Sequence, residues 1–243
     1  MYHRLDTQHS FEKCEHINNI WDTINTLADI SASLKKQLQS KKKSFKNVYE
    51  SYSKSVNPLN GDEENPQIQY DYWQNTISNQ KNYLKFIELI TQIDNISNEI
   101  TLNAKEEKDI DKSYQKARET WSMDVKGDIT NEMKRLESYR TIQDSCLSFI
   151  ELRKTITHNN AKIAGYAKTA PSIVKAYNTH MKGVDLTWNQ ESGRNQAVRE
   201  IISTQDALLK VLSQSNISEI DKTVKKSKAK SWEDVRKIVL QHQ

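Results

Sequence analysis

The sequence predicts an all-α protein that contains no β-strands of consequence, and two observations carry that prediction. Only 5 Gly and 3 Pro occur in 243 residues, so interruptions of helical structure are few and their places are identifiable. Apolar residues recur at alternating steps of three and four over long stretches, which is the spacing of one helical face. Apolar residues make up 35% of the chain and mean hydropathy is −0.84, as expected where each helix buries only a stripe.

The first predicted helix covers about residues 10–56, a stretch without Gly or Pro. A helix of about 45 residues would be roughly 70 Å long. Its apolar residues lie on one face and are predicted to form a core or a dimer seam: Ile17, Ile24, Leu27, Leu34, Leu38 and Phe45. Trp73 and Trp121, from the next predicted helix, are expected to belong to the same seam. The first helix ends in the breaker sequence Asn57-Pro58-Leu59-Asn60-Gly61.

Pro66 follows Asn65, as a proline at the first helical position follows a cap residue, and predicts a second helix over about residues 66–126. Its middle, 103–109, is polar on nearly every side and is interpreted as a solvated arm or a frayed point. Gly127 marks the next turn. The third helix is predicted over about 129–180, with a kink or short break between Gly165 and Pro171.

The long helices define a predicted first domain, residues 1–182, and residues 183–243 a helical extension. In the extension, Gly183 to Gly193 is a connector that contains Trp188. A helix is expected over about 194–212, then a polar lysine-rich stretch at 222–230. A last helix opens at Ser231, with Asp234 at the capping-box spacing. The fold class is therefore an elongated bundle of three long amphipathic helices with a short helical tail.

No motif of catalysis or metal binding is present in the sequence. The six histidines do not pair at ligand spacing, and no glycine-rich phosphate loop or GxSxG sequence occurs. Cys14 and Cys146 are too far apart in sequence to suggest a zinc site or a disulfide framework. We therefore expect a protein that is not an enzyme, with no catalytic residues, no cofactor and no bound metal. An all-helical enzyme with a scattered site is the third-ranked alternative.

Lysines form two clusters, one in the first helix and one in the tail, and the net charge is +4 with a pI near 8.8. The tail cluster is Lys222, Lys225, Lys226, Lys228 and Lys230. The candidate anion-binding residues are Lys35, Lys36, Lys41, Lys42, Lys43 and Lys46, with Lys126, Lys134 and Arg135 around the Gly127 turn. Each cluster could be merely a solvated face. Compact ammonium charges suit diffuse attraction to lipid headgroups better than sequence-specific contacts to nucleic-acid bases, so no nucleic acid partner is expected. Because no catalytic motif is found, no small-molecule substrate is expected either.

Three helices of this length joined at two sharp breaks resemble a BAR domain of the sorting-nexin type, over about residues 10–180. The third helix carries the resemblance in Lys134-Arg135, Arg140, Phe149-Ile150-Glu151-Leu152 and His158-Asn159-Asn160. Single stripes on helices this long bury too little apolar surface in a monomer, so packing predicts a dimer, with itself or a related helical protein. The lysine clusters predict association with anionic phospholipid membranes, in a cytoplasmic, peripheral-membrane location. The resemblance adds a role in trafficking or remodelling and an endosomal location. The alternative is a coiled-coil tether or adaptor that binds only proteins.

Overall fold

The computed structural model describes residues 19, 22–37, 66–105, 107–121, 129–191, 193–227 and 229–242, without the side chains of 66–71 and 73. Within these ranges every regular element is a helix, which confirms the all-α class. The helices are α1 (22–37), α2 (Pro66–Asn103), α3 (Lys108–Thr120), α4 (Ile129–Gly165), α5 (Pro171–Met181), α6 (Arg194–Leu212), α7 (Ile217–Lys226) and α8 (Trp232–Leu240).

The predicted second helix is interrupted, because α2 ends at Asn103 and α3 begins at Lys108. The sequence there contains no Gly or Pro, so local propensity does not explain the break. Contacts with α4 are made at this point. The guanidinium of Arg153 on α4 pairs with Glu107 at 3.1 Å and with Asp109, and Ala104 in the turn is fully buried. The break lies within the polar stretch 103–109, where a frayed point was one of the two interpretations of the sequence.

The break predicted between Gly165 and Pro171 is present. Helix α4 ends at Gly165, a turn follows, and α5 begins at Pro171. The cap position of α5 is Ala170, whose side chain cannot accept a hydrogen bond. Asp221 of α7 accepts one instead, from the backbone N–H of Ile173 at 2.9 Å. A carboxylate from another helix thus replaces the missing local cap.

The tail is more regular than predicted. Helix α6 has the predicted bounds, and α8 begins with the predicted capping box between Ser231 and Asp234. Helix α7 was not predicted, since its lysines suggested a polar stretch. Its apolar residues Ile217, Ile220 and Val224 nevertheless lie buried on one face at helical spacing.

The chain divides into two compact units, residues 1–96 with 122–140, and residues 97–121 with 141–243. In the described part of the first unit, buried side chains come from α1, α2 and the start of α4, among them Leu34, Phe86 and Tyr139. This division does not follow the predicted boundary at residue 182.

The second unit joins the tail helices to the end of α4. Helix α5 packs against α7 and α8, and α8 also packs against α6 and α7. One apolar cluster runs through these helices. Its members include Ile163, Ile173, Tyr177, Leu208, Ile220, Trp232 and Val239. Residues 183–243 are therefore an integral part of a compact helical unit in the structure.

Candidate functional site

The predicted anion-binding residues of the first unit are only partly described. Lys35 and Lys36 are exposed on α1, and Lys134 is exposed on α4. Arg135 is half-buried and its guanidinium pairs with Glu132, with Nη2 to Oε2 at 2.8 Å, so its charge is locally compensated. The remaining predicted anion-binding residues lie outside the described ranges: Lys41, Lys42, Lys43, Lys46 and Lys126.

The predicted seam residues lie as follows. Leu27 and Leu34 are buried, at 4% and 0% exposure, within the single chain. Ile24 and Trp121 are half-buried. The other predicted seam side chains lie outside the description: Ile17, Leu38, Phe45 and Trp73. Leu27 and Leu34 are buried without a second chain, so the packing of these two residues does not require a dimer.

A basic groove lies in the second unit, between α5, α7 and the start of α8, with a volume of about 480 Å³. Lys175 and His180 of α5, Lys225 of α7 and Lys230 before α8 line it. Ser172 and Thr179 of α5 add hydroxyl groups, and no carboxylate is among the lining residues. We refer to this feature as the basic groove.

The lysines of the basic groove are not neutralised by neighbouring acids. Within the portion of the chain that the structure describes, none of the ion pairs involves Lys175, Lys225 or Lys230. Lys222, just before the groove in sequence, pairs with Glu219 at 2.7 Å. The groove therefore holds three lysines without an ion pair among the described residues.

Asp234, near the groove's α8 end, is already engaged within its own helix cap. The Asp234 carboxylate accepts hydrogen bonds from the Ser231 hydroxyl at 2.7 Å and from the Ser231 backbone N–H at 3.3 Å. These hydrogen bonds lower the pKa of Asp234 below its usual value. Asp234 thus serves the helix cap as an anion.

The rings of His180 and Trp232 are among the groove's lining residues. The His180 ring stacks on Trp232 with centroids 6.0 Å apart, and Tyr177 meets Trp232 edge-on at 5.4 Å. Trp232 is only 7% exposed, so its ring is fixed in the core. A second groove of about 390 Å³ shares His180 and Trp232 but includes Glu200 and Glu233, so its charge is mixed.

The sequence grouped only two of the four basic residues that line the groove. Lys225 and Lys230 belong to the tail cluster, whereas Lys175 and His180 stand about 50 residues earlier. Nothing in the spacing of these residues connects them. The Asp221 contact to the start of α5, which helps fix α5 beside α7, is a tertiary feature with no signal in either segment.

Features of catalysis or metal binding do not emerge from the described ranges. No group of three His, Cys, Asp or Glu residues suited to a metal occurs within them. Cys146 is fully buried, and burial, with the charge of Asp111, raises its pKa to about 12, so its thiol is not an activated nucleophile. No helix within these ranges has the length and apolarity needed to span a bilayer.

Comparison of the chain with protein-family models, with curated proteins and with solved structures found no match.

Proposed function

We propose that this protein is a non-enzymatic helical scaffold that associates with anionic membrane surfaces and acts in membrane trafficking or remodelling. The observation that carries the proposal is the stretch 222–230, which holds five lysines and no acid. Two of these lysines, Lys225 and Lys230, line the basic groove together with Lys175. Each lysine near an anionic leaflet contributes about 1 kcal/mol, so several lysines together contribute where a single one would not.

The first lysine cluster gives the proposal a second surface. Lys35 and Lys36 are adjacent and exposed, and Lys41, Lys42, Lys43 and Lys46 follow in sequence. Lys134 adds an exposed cation on α4. Attraction through such residues needs no shaped site, and it is screened within about 8–10 Å at physiological salt.

The BAR-type architecture and its dimer are a finer part of the proposal. The lengths of α2 and α4, 38 and 37 residues or roughly 55 Å each, support the long helices that this part of the proposal needs. The dimer rests on the predicted stripe and on the family resemblance, because Leu27 and Leu34 are already buried within one chain. Light scattering of the full chain tests it: twice 28.3 kDa is expected, and a monomer mass would remove this part of the proposal.

Cosedimentation with vesicles tests the membrane association. The full chain should pellet with vesicles that contain phosphatidylserine and remain in the supernatant with vesicles of phosphatidylcholine alone. Raised salt should release it, because the attraction is electrostatic. If the protein does not pellet with the anionic vesicles at low salt, membrane association is wrong, and the protein-only tether or adaptor becomes the better proposal.

A further inference from the structure

The basic groove differs from a dispersed positive surface in how its charges are held. Lys175 lies within α5, Lys225 in the last turn of α7, and Lys230 in the short segment before α8. Three separate elements therefore bring their cations to one concavity. The helices are fixed by a shared apolar cluster, so the concavity that the three lysines line does not depend on binding.

We propose that the basic groove binds a compact ligand that carries more than one phosphate group. A phosphate monoester carries about −1.5 to −2 charges at pH 7, so two of them balance three lysines. In its lipid form, as a polyphosphorylated headgroup, this inference rests on the proposed membrane association. In its soluble form, as a free polyphosphate, it does not.

The lining chemistry favours phosphate oxygens. Ammonium groups donate three hydrogen bonds each and accept none, so an acceptor-rich ligand matches three of them. The half-buried Ser172 hydroxyl at the start of α5 is a further donor. The volume of about 480 Å³ lies within the ~300–1,000 Å³ typical of small-ligand sites. The neighbouring groove is less suited to a polyanion, because it includes Glu200 and Glu233.

The test uses the full chain, inorganic tripolyphosphate in calorimetric titrations, and two kinds of vesicle. One kind contains a phosphatidylinositol bisphosphate, and the other contains phosphatidylserine at matched total charge. The groove variant is Lys225→Gln with Lys230→Gln. The control variant, Lys162→Gln with Lys210→Gln, removes the same charge from exposed positions of the same unit outside the groove. Circular dichroism verifies that both variants retain the helix content of the wild type.

The groove variant should bind the polyphosphorylated probe roughly tenfold or more weakly, while the control stays near the wild type. Loss confined to bisphosphate vesicles assigns the ligand to lipid, and loss with soluble tripolyphosphate assigns it to a free polyphosphate; either supports the site. Equal binding by the groove and control variants overturns it, as does absence of wild-type binding to both probes. If the groove proposal fails in either way but the wild type still binds phosphatidylserine vesicles, the proposed membrane association stands. The groove proposal and the membrane proposal can therefore fail separately.

Discussion

At the scale of single residues, two glutamine side chains organise the interior of the second unit. The Gln143 amide donates to the Ser97 hydroxyl at 2.8 Å and to the Tyr114 hydroxyl at 2.9 Å. Gln205 donates likewise to the Tyr177 hydroxyl at 2.7 Å and to Asn160 at 2.9 Å. Buried amides require such partners, so each glutamine fixes the relative positions of three helices.

The Asp221 carboxylate is predicted to stabilise the start of α5. Asp221→Ala removes the acceptor for the Ile173 N–H in a buried setting and should cost about 1 kcal/mol, within the ~0.5–2 kcal/mol typical of helix caps. Asp221→Asn keeps an acceptor oxygen and should recover most of the loss. Thermal or urea unfolding measures both variants. Equal stability of Asp221→Ala and the wild type would contradict the cap.

The Cys146 thiol is predicted to be unreactive in the folded protein. Its pKa is raised to about 12 and its side chain is fully buried, so thiolate is scarce and inaccessible. In a Cys14→Ser background, a thiol reagent at pH 8 should modify Cys146 only as denaturant unfolds the chain, as mass spectrometry would detect. Rapid complete modification without denaturant would show that the site is open.

The sign of the pH effect at Cys146 follows from the same shift. The unfolded thiol ionises near its ordinary pKa of 9.0, whereas the folded thiol stays protonated to about 12. Above pH 9 the folded state therefore binds more protons than the unfolded state, and stability falls as pH rises. Below pH 9 the Cys146 thiol is protonated in the folded and in the unfolded state, so its contribution to stability is fully present.

At the scale of elements, the sequence predicted helix boundaries correctly where a cap residue, a glycine or a proline sets the boundary. The bounds of α6, the capping box of α8, and the break between Gly165 and Pro171 follow from caps, Gly and Pro. The break before α3 has no such signal, and it lies where Arg153 of α4 pairs with Glu107 and Asp109. Helix α7 was not predicted because the five lysines at 222–230 suggested a polar stretch, although Ile217, Ile220 and Val224 form a short apolar face.

The described part of α1 gives the stripe a direct test. Leu34 is fully buried, so Leu34→Ala should cost ~2–5 kcal/mol through lost apolar contacts and the cavity left behind. Lys36→Ala, two residues away on an exposed position, is the matched control and should change stability little. Thermal melts of the two variants decide. Indistinguishable melting temperatures would mean that α1 does not pack along this stripe.

At the scale of the whole molecule, the distribution of charge bears most directly on function. The sequence located both lysine clusters, and the structure adds the partners of the second, Lys175 and His180. The groove depends on which helices pack together, and this is decided by long-range contacts such as those in the apolar cluster of the second unit. Composition and periodicity could therefore indicate an anionic partner without locating the groove.

The measurement that tests the membrane claim most directly is cosedimentation of a charge-reversed variant with anionic vesicles. Replacing Lys41, Lys42 and Lys43 by Glu should abolish pelleting at low salt, because the cluster then repels the leaflet. The control reverses three exposed lysines elsewhere, Lys81, Lys85 and Lys116, and should pellet close to the wild type. Circular dichroism of both should match the wild type. Pelleting of the Lys41–Lys43 variant equal to the wild type would contradict attraction through the first cluster.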